Sequence, residues 1–107
     1  MVAGSRFQLV FAPEAVKHLD AIAHKHHRVL EQAILQQLSH EPNVETRNRK
    51  PLEQPAPFQA AWELRCGPQS IFRVFYEIDA SARTVNILAI GVKLRNHLRF
   101  GRQEFRP

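Results

Sequence analysis

The chain has 107 residues, of which 44% are hydrophobic, and its formal net charge is +5. This length predicts one domain over residues 1–107, and the apolar content excludes an intrinsically disordered chain. No apolar run approaches the roughly 18 residues of a membrane-spanning helix, and the N-terminus lacks the pattern of a secretory signal. The single cysteine, Cys66, excludes an internal disulfide and fits a reducing compartment.

The first part of the chain predicts a strand followed by two helices. In RFQLVFAP, the side chains of Phe7, Leu9 and Phe11 alternate with the others, which is typical of a short strand. Pro13 then begins an amphipathic helix, PEAVKHLDAIAHKHH, and RVLEQAILQQLSH continues after a break as a second one. Pro42 ends the second helix, because the residue before a proline is pushed out of the helical region.

Residues 41–60 separate the helices from a second group of strands. This segment contains four prolines, lacks a helical or strand period, and carries cations within VETRNRKPL at 44–52. Long irregular loops are uncommon in compact domains and are usually functional, so we expect a functional loop here. Three strand patterns follow, AWELRC, IFRVFYEID and VNILAIGV, and their short turns indicate an antiparallel meander. The patterns predict an α+β fold of order β-α-α-β-β-β, with both helices packed on one sheet face and a basic C-terminal tail.

Side-chain alternation assigns the residues of these strands to two faces of the sheet. In IFRVFYEID, every second side chain is apolar and is expected to lie under the helices; these residues are Phe72, Val74, Tyr76 and Ile78. Arg73 has the opposite parity, and Glu63 and Arg65 of the preceding strand also face away from the core. We therefore expect charged side chains to project from an open sheet surface that the loop and the tail flank.

The excess positive charge is concentrated in two segments. Residues 93–107 carry one carboxylate, Glu104, and five cations: Lys93, Arg95, Arg99, Arg102 and Arg106. The loop carries a smaller concentration at Arg47, Arg49 and Lys50. A small basic domain typically binds an anionic partner such as nucleic acid or an acidic protein segment. The alternative is that these charges only keep the loop and the tail solvated.

The order of the elements, together with NRKPL, WELR, FRVFYEID and ILAIGVK, resembles the RelE/ParE superfamily of bacterial type II toxins. The resemblance spans about residues 6–99, and RVFYEID followed by a strand ending in IGVK is its most specific part. It implies a microbial-ribonuclease-like α+β fold, a cytoplasmic location and a cognate antitoxin protein as partner. Members of this superfamily either cleave mRNA, usually on the ribosome, or inhibit DNA gyrase without enzymatic activity.

For a ribonuclease of this kind, the resemblance implies a set of catalytic positions. Arg73 in FRVFY matches the arginine beside the scissile phosphate, and Lys93 in GVK matches a second basic position. Arg65 in ELR matches a further basic residue of the sheet. Lys50 in KPL lies where some branches place a catalytic or binding residue, and it is a candidate general base as an alternative to Glu63. The chemistry needs such cations because they stabilise the dianionic phosphorane, and arginine binds phosphate oxygens bidentately.

Two features of the chain depart from the RelE pattern. Glu63 stands where RelE has a lysine, and it is either a general base or one half of a structural ion pair. The C-terminal tyrosine of several such nucleases is missing from the sequence, and His97 is a candidate general acid in its place. The RNA backbone is expected to be held by Arg47, Arg49, Arg95 and Arg99.

The resemblance therefore implies a type II toxin that cleaves mRNA and inhibits translation without a metal or another cofactor. Its expected partners are mRNA, the ribosome and the antitoxin, with no membrane. Two alternatives stay open: a gyrase inhibitor that needs no acid or base, and an inactive toxin that keeps only antitoxin binding. His24 and His27 predict a helix surface and not a metal site, because no acidic residue or cysteine lies at a suitable spacing.

Overall fold

The computed structural model describes residues 6–106, which form an α+β fold of two α-helices and a seven-stranded sheet. The helices are α1, Pro13–Asp20, and α2, His27–Leu38, with short 3-10 helices at His24–His26, Pro57–Gln59 and Pro68–Ser70. The strands are β1, Gln8–Phe11; β2, Arg49–Pro51; β3, Trp62–Cys66; β4, Phe72–Asp79; β5, Thr84–Leu94; β6, His97–Phe100; and β7, Gln103–Glu104. Neither helix in this part of the chain has the length and apolarity that crossing a membrane requires.

The sheet runs β2-β3-β4-β5-β6-β7 with antiparallel neighbours, and β1 pairs with β5 in parallel. The α+β class and the antiparallel meander of β3, β4 and β5 agree with the prediction. The predicted order β-α-α-β-β-β is wrong, because the loop contributes β2 and the basic C-terminal segment contributes β6 and β7. These strands have three, four and two residues, so they are too short for periodicity to reveal. β2 and β6 form by pairing along edges of β3 and β5 that would otherwise be open, and β7 pairs with β6.

The main core lies between the helices and one face of the sheet. Helix α1 begins at Pro13, which suits the first helical position, and α2 buries a stripe at a spacing of four residues, Leu30, Ile34 and Leu38. The predicted inward parity of β4 is confirmed, since the core contains Phe72, Val74 and Tyr76 and contacts Ile78. The hydroxyl of Tyr76 donates to the Pro42 carbonyl at 2.8 Å, which ties the end of the helical segment to the sheet.

The opposite sheet face is not open as predicted, because part of it carries a second apolar cluster. Phe75 and Ala89 lie on this face and pack with Ala60 and with Phe100 of β6. A side chain at Gly91 would block this arrangement, since a Cβ there would lie only 2.9 Å from Phe100 Cε1. This second cluster explains why β5 is apolar on both of its faces. The segment after β5 folds back over the sheet and completes the cluster.

His18 provides a hydrogen-bond acceptor for β5 at a position between its pairing with β1 and its pairing with β6. β1 pairs with β5 as far as Ile87 and β6 begins to pair at Val92, so Ile90 lies between the two. His18 of α1 is 6% exposed, and its Nδ1 accepts a hydrogen bond from the Ile90 N–H at 3.2 Å. An imidazole nitrogen that accepts carries no proton, so this ring is neutral. Burial lowers the pKa of His18 and outweighs the nearby Glu14 carboxylate, which raises it.

The free energy of unfolding is expected to fall as the pH decreases below about 6.5, the ordinary pKa of histidine. His18 stays neutral in the folded state to a lower pH than in the unfolded state, so the unfolded state binds the additional proton. The stabilisation by neutral His18 is complete above the pKa of the unfolded state. It is lost as the pH falls through the pKa of the folded state, and the free energy of unfolding then changes by at most about 1.4 kcal/mol per pH unit.

Urea unfolding at about pH 7.5 and about pH 5.5 measures this dependence. The variant His18→Gln is expected to show a weaker pH dependence of the free energy of unfolding, because its amide oxygen can still accept from the Ile90 N–H but does not titrate. His24→Gln is the matched control, because His24 is exposed. An equally steep pH dependence in His18→Gln would contradict the assignment to His18.

Candidate functional site

Five of the predicted catalytic residues share the sheet face that lies opposite the helices. In the sheet register, Arg65 of β3 is directly opposite Arg73 of β4, and Lys50 of β2 is directly opposite Glu63 of β3. Lys93 lies on the same face of β5, two residues beyond the partner of Arg73. The fold therefore brings residues from four strands, which are far apart in the sequence, onto one surface.

Glu63, Arg65 and Arg73 form a group that we call the Arg73 cluster. Arg73 Nη1 donates to Glu63 Oε2 at 3.0 Å, and Arg65 Nε lies 3.5 Å from the same oxygen. Arg73 Nε also donates to the Ser70 carbonyl at 3.1 Å, which fixes the plane of its guanidinium. The side chains of Glu63 and Arg73 are 9% and 14% exposed. Removing one partner of such a buried pair costs about 3–5 kcal/mol, because the other charge is left without compensation.

Arg65 is the member of the cluster that is most accessible to a ligand. Its side chain is 40% exposed, although its Nε is buried and has no hydrogen-bond partner among residues 6–106. A guanidinium carries five N–H donors in a planar fork, which matches two oxygens of a phosphate. The position of Arg65 therefore suits the first contact with an anion that approaches this face.

Lys50 and Lys93 flank the Arg73 cluster on β2 and β5. Lys50 Nζ lies 4.0 Å from Glu45 Oε2, and both side chains are exposed, so this ion pair adds little stability. The Lys93 N–H donates to the Ile71 carbonyl at 2.7 Å, which holds this residue at the end of the β4–β5 pairing. No side chain in the described part of the protein forms an ion pair with Lys93. Both amines are thus available to an anion.

Glu63 is placed as an ion-pair partner and not as a free base. Its Oε2 faces the guanidinium groups of both Arg65 and Arg73, and little of its side chain is exposed. A substrate hydroxyl would have to reach this carboxylate past the two cations. Of the two roles predicted for Glu63, these contacts favour the structural ion pair.

His97 lies on the other face of the sheet, so the structure does not place it beside Arg73. A Cβ on Gly91, the residue paired with Arg73, would lie 2.8 Å from Leu98 Cδ1, which puts Leu98 on the face of Arg73. Because neighbouring residues of a strand alternate, His97 points to the opposite face. Its Nδ1 lies 2.6 Å from Glu104 Oε2, and this hydrogen bond lowers the pKa of Glu104. The position of His97 does not support its predicted role as general acid.

Arg49 is not the surface cation that the sequence predicts. It is 8% exposed, its Nη1 donates to the Gln37 carbonyl at 3.0 Å and to Gln37 Oε1 at 2.8 Å, and its Nε donates to the Val44 carbonyl at 2.9 Å. These bonds join the loop to the end of α2. The prediction that Arg49 holds RNA is therefore corrected to a structural role, whereas Arg47 is exposed as expected.

The other chemically reactive side chains near this face are held in the core. Burial raises the pKa of Cys66 to about 11, and this outweighs the opposite effect of the Arg73 charge. Burial likewise raises the pKa of Tyr76, whose hydroxyl already donates within the protein. Cys66 and Tyr76 are thus protonated near neutral pH, in agreement with the core positions that the sequence predicts for them.

Arg95 and Arg99, the remaining predicted RNA-binding residues, lie apart from the Arg73 cluster. They line a groove of about 610 Å³ beside β6 and β7, which we call the hairpin groove; its lining is Leu94, Arg95, His97, Arg99, Arg102 and Glu104. Arg102 and Glu104 were not predicted as site residues. The sequence signal that could have placed them is Gly101, a turn residue between two short segments.

The donors of the Arg73 cluster and the flanking lysines are suited to binding anions. Within residues 6–106 no group of three or more His, Cys, Asp or Glu side chains is arranged to hold a metal ion. Comparison of the chain with sequence profiles of known protein families and with curated proteins finds no match to either. The positions and contacts of the site residues therefore carry the functional argument.

Proposed function

We propose that this protein is a cytoplasmic toxin of RelE/ParE type, encoded with an antitoxin, which inhibits translation by cleaving mRNA on the ribosome. The observation that carries the proposal is the arrangement of Lys50, Arg65, Arg73 and Lys93 on one sheet face. Four cations with a single buried carboxylate between them form a surface that suits one phosphate of an RNA chain.

In the proposed reaction, the ribose 2′-oxygen attacks the adjacent phosphorus while the bond from phosphorus to the 5′-oxygen breaks. The products are a cyclic phosphate and a 5′-hydroxyl end, and the proton of the 2′-hydroxyl is transferred overall to the 5′-oxygen. Arg65 and Arg73 stabilise the dianionic phosphorane, and Lys93 neutralises charge beside them. Glu63 orients both guanidiniums, and Lys50 contacts the RNA chain. Catalysis in this scheme is mainly electrostatic, since neither Glu63 nor His97 is free beside Arg73.

Two observations favour a second candidate function, a toxin of ParE type that inhibits DNA gyrase by binding. Glu63 is bound to two arginines, and His97 lies on the other sheet face, so neither of these two predicted acid–base groups is free beside Arg73. A binding toxin needs no such group. An inactive toxin that keeps only antitoxin binding would share the same surface, since an acidic antitoxin segment would complement it.

Induced expression in bacterial cells separates these functions. Primer extension on several mRNAs soon after induction is expected to show breaks within translated regions, while a plasmid extracted from the same cells keeps its supercoiling. Intact mRNA with lost supercoiling would replace the nuclease proposal with gyrase inhibition. Normal growth with both unaffected, while purified protein still binds the product of an adjacent small gene, would indicate the inactive form.

A further inference from the structure

We propose that the hairpin groove is a second nucleic-acid site, which binds the phosphate backbone without reading the sequence. It lies apart from the Arg73 cluster, because His97 and Arg99 alternate with Leu98, whose side chain is on the face of Arg73. This inference goes beyond the proposed function, since it holds whether or not the protein cleaves RNA.

The cations of the hairpin groove are only partly neutralised within the described protein. Arg95, Arg99 and Arg102 form no ion pair and donate no side-chain hydrogen bond among residues 6–106. The groove contains one carboxylate, Glu104, and its Oε2 is bound by His97 at 2.6 Å. Glu104 is also the cross-strand partner of Arg99, whose charge adds to the hydrogen bond with His97 in lowering the pKa of Glu104, so one carboxylate faces three guanidinium groups. This imbalance favours an anion with several charges over a single small ion.

The two tight turns of the segment place guanidinium groups at both ends of β6. Arg95 and Asn96 connect β5 to β6, and Arg95 has a φ of 58°, in the left-handed region that glycine adopts more readily. Gly101 has the same conformation, with a φ of 61°, in the turn from β6 to β7, and Arg102 follows it. Arg99 lies on the strand between these turns. The three arginines are thus spread along the hairpin, as a chain of successive phosphates requires.

The composition of the groove favours a nucleic-acid backbone over an acidic protein segment. Leu94 is the one apolar residue that lines it, so the apolar side of an amphipathic peptide would find little surface to cover. His97 is the one aromatic side chain in its lining, and it is hydrogen-bonded to Glu104, so successive bases would find no row of rings to stack on. Contacts to phosphate alone predict binding that depends strongly on salt and not on sequence.

Fluorescence anisotropy with labelled 2′-O-methyl RNA of about twelve nucleotides tests this site, because such RNA lacks the attacking hydroxyl and cannot be cleaved. The double variant Arg99→Gln/Arg102→Gln is expected to bind single strands roughly tenfold more weakly at about 50 mM salt. The magnitude of the slope of log affinity against log salt should decrease by about 1.4 for a single strand and about 1.8 for a duplex.

The control is Lys25→Gln/Arg28→Gln, which removes the same charge from exposed positions near the start of α2 and should leave affinity within about twofold. Arg95→Gly should weaken binding without lowering the Tm, since glycine suits its φ. An equal loss in the control would overturn the proposal, because net charge alone would then explain binding. An unchanged salt slope in the Arg99→Gln/Arg102→Gln variant would also overturn the proposal. The same holds if a polyglutamate peptide binds more tightly than RNA and loses its affinity in this variant.

Discussion

The double variant Glu63→Gln/Arg73→Gln is expected to fold normally and to lose RNA cleavage by about a hundredfold or more. The loss follows from the proposed function, since removing a preformed donor to the developing charge typically costs this much. Folding should be preserved because both members of the 3.0 Å ion pair become neutral together, so neither is left as a buried charge without its partner. Exchange of a whole buried ion pair for a neutral one is often nearly neutral in stability.

Single variants show why the double variant is needed. Arg73→Ala leaves Glu63 buried with only the longer contact to Arg65, so we expect the free energy of unfolding to fall by about 3–5 kcal/mol. Its loss of toxicity could then reflect unfolding. Urea unfolding and primer extension on the same preparations separate the two effects. Full cleavage by a folded Glu63→Gln/Arg73→Gln protein would remove Arg73 from the mechanism.

Arg49→Ala is expected to lower the free energy of unfolding by about 2–4 kcal/mol, which is a large part of the total stability of a small domain. The variant removes three hydrogen bonds and leaves the carbonyls of Gln37 and Val44 without their donor. Urea unfolding near neutral pH measures the change. Arg49→Lys should be only partly better, because an ammonium group cannot reproduce the planar fork.

Arg47→Ala is the matched control for Arg49. It removes the same charge two positions earlier from an exposed side chain, so we expect a change within about 0.5 kcal/mol. If Arg47→Ala and Arg49→Ala were equally stable, the contacts of Arg49 with α2 would not be what orders the loop. If both were stable and both bound RNA more weakly, the original prediction of Arg49 as an RNA-binding residue would be restored.

The sequence by itself determined the features that depend on local periodicity. Apolar residues at helical spacing identified both helices, and strict alternation identified β3 and β4 and assigned Arg73 and Tyr76 to opposite faces. These predictions agree with the structure because a strand has only two faces, and the apolar parity must be buried. The same alternation placed Glu63, Arg65 and Arg73 on one surface before their contacts were known.

Only the tertiary structure decided which charged residues are available to a ligand. Arg47 and Arg49 look alike in the sequence, but the end of α2 provides two acceptors, the carbonyl and the Oε1 of Gln37, for Arg49 alone. The basic C-terminal segment reads as a solvated tail, yet it pairs with β5 and carries His97 to the face opposite Arg73. Pairing of short strands and burial of a charge depend on partners far away in the chain, and local sequence patterns do not contain that information.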